Sequence, residues 1–350
     1  MTRRTDPRLQ VLTAHALAHG TPWPADVRAV IEGGTFDPPP WNVVLGPVLP
    51  RHGPAGAVAV GGRTVAEWGP ADATDMAFSV TKSYIGLLAA VALDRGLIDD
   101  LDAPVAARID DPAFASPRNA QATWRRLLDQ TSEWSGTLFG IPDTVDRDRQ
   151  LAPTDDPARF NRATPLRAPG AYWDYNDIRV NALCLALTRL FGRPLPDVLA
   201  GLHPAFAARD GWAWHGYGAA SRIALGGGRE VEVAVGGGHW GGGFSGRVAH
   251  HMALGGIVLG RGKHAGTRVV SAEALGAVLA PCPLQPVYGG LWWLNTSGRL
   301  YPSLPQDSVL AMGVGATVVW VCPSRDVVAV LRWIVPGAAE TALAAILEVA

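Results

Sequence analysis

Phe78-Ser79-Val80-Thr81-Lys82 sets a serine and a lysine three residues apart at the start of an apolar, helix-patterned stretch. On a helix, positions i and i+3 share a face, so the lysine amine can approach the serine hydroxyl. That hydroxyl is a weak nucleophile until an adjacent base takes its proton. Burial against apolar walls disfavours an ammonium and makes the neutral amine available. The positive end of the helix adds to this and favours a developing oxyanion. The helix is read from the stripe Tyr84, Leu87, Leu88 and Val91, with Gly96 as its stop. Of the 30 Lys and Arg residues only Lys82 and Lys263 are lysine, and no second Ser-x-x-Lys occurs. Arginine does not give up its proton at usable pH, so a lysine here offers chemistry that arginine lacks.

Outward from this stretch, the chain reads as a globular protein. It has 350 residues, 48% hydrophobic and 17% charged, with a net charge of −1. No basic excess marks a nucleic-acid partner. The longest apolar run, from Ile85 to Leu93, is too short to span a bilayer. Arg3-Arg4 is followed by Asp6, Arg8, His15 and His19, so the N-terminus reads as untargeted and the protein as cytoplasmic. Cys184, Cys282 and Cys322 are odd in number and widely spaced, which predicts buried thiols and neither disulfides nor zinc.

Residues 55–68 read as a hairpin around Gly61-Gly62, and Thr317–Val321 with Val327–Val335 as a second hairpin around Pro323-Ser324-Arg325-Asp326. Helical patterns fall at 79–95, 122–130, 178–191 and 338–349, and glycine concentrates at 226–243. The expected class is α+β, an antiparallel sheet flanked by helices plus a mostly helical domain. Residues 1–88 and 236–350 form the sheet domain and 89–235 the helical insertion, with the site in the cleft between them.

Three segments carry a resemblance. Asp75 to Tyr84, continuing to Asp94-Arg95-Gly96-Leu97-Ile98, is similar to the serine hydrolases related to class C β-lactamases and DD-peptidases. Leu127-Leu128-Asp129-Gln130-Thr131-Ser132-Glu133 resembles that family's Leu-Leu-x-His-Thr-Ser-Gly segment, and Pro169-Gly170 through Tyr175-Asn176-Asp177 its Pro-Gly…Tyr-x-Asn segment. The resemblance covers about residues 55 to 335, in the family's order. It implies the serine β-lactamase/DD-peptidase fold, an acylated Ser79, and Lys82 with Tyr175 moving its proton. No metal or organic cofactor is implied.

Two departures bear on chemistry. Asp177 replaces an amide and would either orient Lys82 or pair with it; a pair raises the lysine pKa and shifts the base role toward Tyr175. The family's Lys/His-Thr/Ser-Gly strand falls at Ala311-Met312-Gly313-Val314-Gly315-Ala316, without a basic side chain. That argues against penicillin or D-Ala-D-Ala substrates, although the strand backbone can still supply an oxyanion N–H, taken here as that of Ala316. Gly313, Val314 and Gly315 would then line the substrate.

The Gly-rich His239-Trp240 segment and the Tyr288…Trp292-Trp293 region look like the esterase and 6-aminohexanoate-oligomer-hydrolase branch. Trp134, Trp173, His239 and Trp240 are the candidate pocket residues. Ser245 in Gly243-Phe244-Ser245-Gly246-Arg247 competes as nucleophile, but Arg247 stands where the elbow motif needs glycine. The expected activity is hydrolysis of small-molecule esters or short amides through an acyl-enzyme. The alternatives are a β-lactamase or D-peptidase, a biosynthetic acyltransferase, and a binding protein on the same scaffold; oligomeric state is not legible.

Overall fold

The computed structural model describes residues 7–147 and 165–349. Its centre is a seven-stranded antiparallel sheet built from both ends of the chain. In spatial order the strands are Tyr288–Gly289, Trp292–Leu294, Val309–Gly313, Thr317–Cys322, Val327–Arg332, Ala55–Val60 and Arg63–Trp68. Gly61 and Gly62 close the first hairpin with φ of 58° and 70°, the left-handed pair that a two-residue turn between twisted strands requires.

The two inner strands Thr317–Cys322 and Val327–Arg332 are buried at every position, because helices cover both faces. On one face lie the terminal helices Pro7–Ala18 and Pro336–Leu347, whose Leu12, Ala16, Leu343 and Ile346 pack on Val58, Leu310, Trp320 and Leu331. The helix Val248–Leu259 covers the other, setting Leu254 and Ile257 into a core with Ala57, Val319, Val321 and Val330.

The helix Val80–Asp94 runs through that second core, buried at every residue from Val80 to Ala92. A helix apolar on all sides has no solvent face, which explains why its stripe is weak in the sequence. It crosses residue 88 unbroken, so the expected boundary between sheet and helical parts falls inside one element. Among its described residues the region 89–235 holds the helices Asp177–Phe191 and Leu195–Ala200 between long connections, and it sends Trp212–His215 into a small sheet with Gly243–Gly246 and Asp75–Met76. The segment leading to Ser79 is tied down by Arg332, fully buried, which meets Asp75 at 3.0 Å and donates to the carbonyls of Pro70, Ala73 and Gly246. Among the described residues no helix is long and apolar enough to cross a membrane.

Gly86 marks the tightest crossing. A Cβ there would lie 2.3 Å from the carbonyl oxygen of Gly290. Glycine to alanine inside a helix ordinarily stabilises by about 0.5–1 kcal/mol. At this site the clash outweighs that gain, and Gly86→Ala is expected to destabilise by about 1–3 kcal/mol, measured as a lower urea midpoint.

Candidate active site

Ser79 sits where the chain enters the buried helix. The residue before it, Phe78, holds φ at +45°, a conformation that costs a bulky side chain energy. Its ring is locked edge-on against Trp23 at 6.4 Å and Trp333 at 6.3 Å, which keeps the turn in place. Ser79 occupies the helix N-cap yet makes no capping bond with its side chain, leaving Oγ for other work.

Lys82 Nζ donates to Ser79 Oγ at 2.8 Å and to the carbonyl of Gly236 at 3.3 Å, and stands 2.5 Å from Asp177 Oδ1. The lysine side chain is only 1% exposed, so these three oxygens replace its water. Gly236 comes from the triple-glycine wall, which passes so close that a Cβ on Gly237 would be 2.1 Å from Phe78 O. Gly236 N–H in turn donates to Asn181 Oδ1 at 2.9 Å. Burial pulls the Lys82 pKa down, but Asp177, then Tyr175 and Asp146, outweigh it and leave the group above its ordinary value. The sequence expectation that burial frees the amine is therefore reversed by the carboxylate at 177.

Tyr175 places its ring centroid 5.1 Å from Lys82 Nζ. Burial raises its phenol and Asp177 adds to that, while the Lys82 charge and hydrogen bonds with Ser79 and Lys82 oppose. Its ring stacks on Trp293 at 5.8 Å, within a group that includes Trp173 and Tyr288. Trp173 lies beside Tyr175, with ring centroids 6.3 Å apart.

The Leu127–Glu133 segment braces the loop that carries Tyr175. Gln130 O accepts from Asp174 N–H at 3.0 Å, Gln130 Oε1 from Asn176 N–H at 3.2 Å, and Thr131 O from Gly170 N–H at 2.8 Å. Glu133, standing where the related segment has glycine, adopts φ of +48°. Its buried carboxylate lies 3.7 Å from the fully buried Arg179, which also meets Asp174 at 3.2 Å. Asn176 caps the helix Asp177–Phe191 by accepting from the N–H groups of Ile178 and Arg179.

The oxyanion position needs a correction. Asn295 N–H donates to Ser308 O, so along Val309–Gly313 the even-numbered residues turn their N–H and C=O toward the Trp292–Leu294 strand. That neighbour turns away at Leu291, whose N–H bonds Leu128 O, so its pairing does not continue alongside Met312 and Val314 among the described residues. Gly313 lies against the turn that carries Ser79: a Cβ there would be 2.4 Å from Ala77 O and 3.3 Å from Ser79 N. The amide that can join that of Ser79 is therefore Val314. Ala316, with φ of +49°, belongs to the tight turn beyond it and packs on the opposite core. Gly315 is turned against Trp333, where a Cβ would lie 2.3 Å from the ring, so it does not line the substrate.

Three pocket expectations also change. Trp240 is fully buried and its Nε1 donates to Trp41 O at 3.0 Å, fastening the 34–41 segment. Trp134 is buried in the main core. His239 stacks on Phe36 at 4.3 Å beside Asp37, a packing role. Ser245 lies in the small sheet opposite Met76 and lines a separate cavity of about 230 Å³ with His215 and Thr74, away from Lys82. Among the described residues no cluster of three or more His, Cys, Asp or Glu is placed to hold a metal. Asp146, Asn181 and Gly236 were missed in the sequence. Asn181 alone had a signal, lying one helical turn after Asp177.

With this geometry in place, the comparisons fall into line. Residues 50–202 match the Beta-lactamase family model. The fold is similar to a family VIII carboxylesterase at 16% identity and TM-score 0.61, covering 97% of each chain. It is similar to EstCE1, a hydrolase with promiscuous acyltransferase activity, at 16% identity and TM-score 0.59, covering 98% of this chain and 97% of that one. It is also similar to a class C β-lactamase from Rhodobacter sphaeroides at 17% identity and TM-score 0.58, covering 98% and 99%. No curated protein matches in sequence. The chain shares its fold with these β-lactamase-related structures, and the family match itself is confined to residues 50–202.

Gly313→Ala tests the contact between strand and nucleophile turn. It is expected to push the strand edge off Ser79 and cut acylation of Ser79 at least tenfold, on the order of a weakened oxyanion contact. Rates of covalent labelling at equal folded fraction would show it. Asp129, buried and accepting from Gly290 N–H, has its carboxyl raised by burial to about 6. Its folded pKa exceeds the unfolded one, so the carboxylate penalty is present above about pH 6 and vanishes below about pH 4. Asp129→Asn should therefore raise stability at pH 8, by an amount on the order of 1–3 kcal/mol, and leave it little changed at pH 4.

Proposed function

We propose that this chain is a serine hydrolase that forms an acyl-enzyme at Ser79 and acts on neutral esters. The observation that carries the reading is the buried contact of 2.8 Å between Lys82 Nζ and Ser79 Oγ, beside the strand end at Gly313. Ser79 Oγ attacks the ester carbonyl and its proton passes to the Lys82–Tyr175 pair. The N–H groups of Ser79 and Val314 hold the oxygen that becomes negative. The tetrahedral intermediate expels the alcohol, which takes the proton from the pair. Water then repeats the sequence on the acyl-enzyme and restores the serine.

Neutral esters are favoured over carboxylate-bearing substrates on two grounds. The strand position that carries a cation in the lactamase-like pattern holds Ala311. The one lysine in the site is already faced by the Asp177 carboxylate. The esterase named among the structural relatives supports the same reading. Short amides come next, since the same intermediate serves them, while the leaving amine needs fuller protonation.

The test is intact-mass spectrometry after incubation with a fluorophosphonate. The expected result is one adduct on Ser79 in the wild type, absent in Ser79→Ala and slowed at least a hundredfold in Lys82→Ala, consistent with loss of the proton acceptor. Hydrolysis of a neutral ester panel should exceed nitrocefin turnover. An adduct on Ser245, or no adduct on a folded protein, overturns the reading.

A further inference from the structure

The three acceptors around Lys82 Nζ do not by themselves fix its proton count. An ammonium fills Ser79 Oγ, Asp177 Oδ1 and Gly236 O with its three N–H groups. A neutral amine fills Asp177 and Gly236 with two, and its lone pair accepts the Ser79 O–H instead. The cage thus satisfies both ends of the proton transfer, and what chooses between them is the charge placed beside it.

We propose that Asp177 is the counter-ion that keeps the resting proton on Lys82, so that Ser79 becomes reactive only as a proton leaves the Lys82–Tyr175 pair. The proposal deepens the reading of Ser79 as nucleophile and rests on it for its catalytic meaning. Asp177 is held for this role from several sides. Its backbone N–H donates to Asp146, and its Oδ2 lies against Gly238, where a Cβ would stand 3.1 Å away. Gly238 therefore leaves the room that the carboxylate occupies.

The groups around the pair do not supply the counter-charge in its place. Tyr217, Tyr288 and Cys184 are pushed upward by burial and stay neutral across the working range. Asp146 is the second carboxylate, set behind the Asp177 backbone and a smaller influence on Lys82 than Asp177 or Tyr175. Asp177 raises both Lys82 and Tyr175, so its charge disfavours every route by which the site could hold a free base. Loss of one proton to solvent leaves a neutral amine or a phenolate; that base then takes the Ser79 proton during attack and returns it to the leaving alcohol. Asp177 touches no reacting atom in this scheme and acts through Lys82.

The sign follows directly. A raised Lys82 and a raised Tyr175 put the rise of reactivity on the alkaline side, and removing the carboxylate moves that rise to lower pH. The chain's two lysines make the measurement direct, since a protein carrying isotope-labelled lysine gives one NMR signal for Lys82 and one for the exposed Lys263 as reference. The Lys82 signal of the wild type should titrate only at alkaline pH, and that of Asp177→Asn at lower pH. Fluorophosphonate labelling of Ser79 should follow, about tenfold faster at neutral pH for each unit by which the midpoint falls.

A Lys82 signal already that of a neutral amine at neutral pH overturns the proposal. So does an Asp177→Asn midpoint that is unchanged or higher in a folded protein. Should Asp177→Asn fail to fold, the wild-type titration decides alone. A Lys82 titration of the expected form with no Ser79 adduct at any pH supports the counter-ion assignment and instead refutes the nucleophile.

Discussion

The arrangement around Ser79 depends on one buried amine, that of Lys82. Lys82 reaches its own helix through Ser79, the helix Asp177–Phe191 through Asp177, and the glycine wall through Gly236. Burying an ammonium without partners is prohibitive, so the three elements are held at the distances that satisfy it. The wall is glycine because nothing larger passes Phe78 and Thr81, and Asn181 fixes that wall by its amide. The catalytic geometry and the packing of three elements are one arrangement.

Much of this was legible in the sequence, for reasons of local physics. Ser79 and Lys82 share a helical turn, and a fixed offset of three residues survives any tertiary context. The Gly61-Gly62 hairpin was legible because two consecutive left-handed residues have few other uses. Tyr175 and Asp177 came from a short segment, and Asp177, expected either to orient Lys82 or to pair with it, stands 2.5 Å from its amine.

What was not legible depends on neighbours far along the chain. Trp240 read as a pocket residue because tryptophan beside glycine looks adaptable; its indole instead fastens a loop two hundred residues upstream. Ala316 was chosen without knowing which edge of its strand stays unpaired, a fact set by where Leu291 turns away. The expected domain boundary after residue 88 falls inside the helix Val80–Asp94, because an all-buried helix packs against both sides. Asp146 had no pattern, since its role is a backbone contact across 31 residues.

The segment ahead of residue 50 bears on how much of the chain the Ser79 turn needs. The family model starts at residue 50, yet the rear of the nucleophile turn is formed by Trp23 and Phe36, clustered with Phe78, Val314 and Trp333. Thr21 N–H bonds Trp333 O, and Trp41 O holds the indole of Trp240. These residues are a buttress carried outside the family's matched span. A chain trimmed to begin at residue 50 would keep Ser79, Lys82, Tyr175 and Asp177 while losing Trp23 and Phe36 from the wall behind Phe78. The unit that holds the Ser79 turn in place is therefore larger than the span the family model recognises.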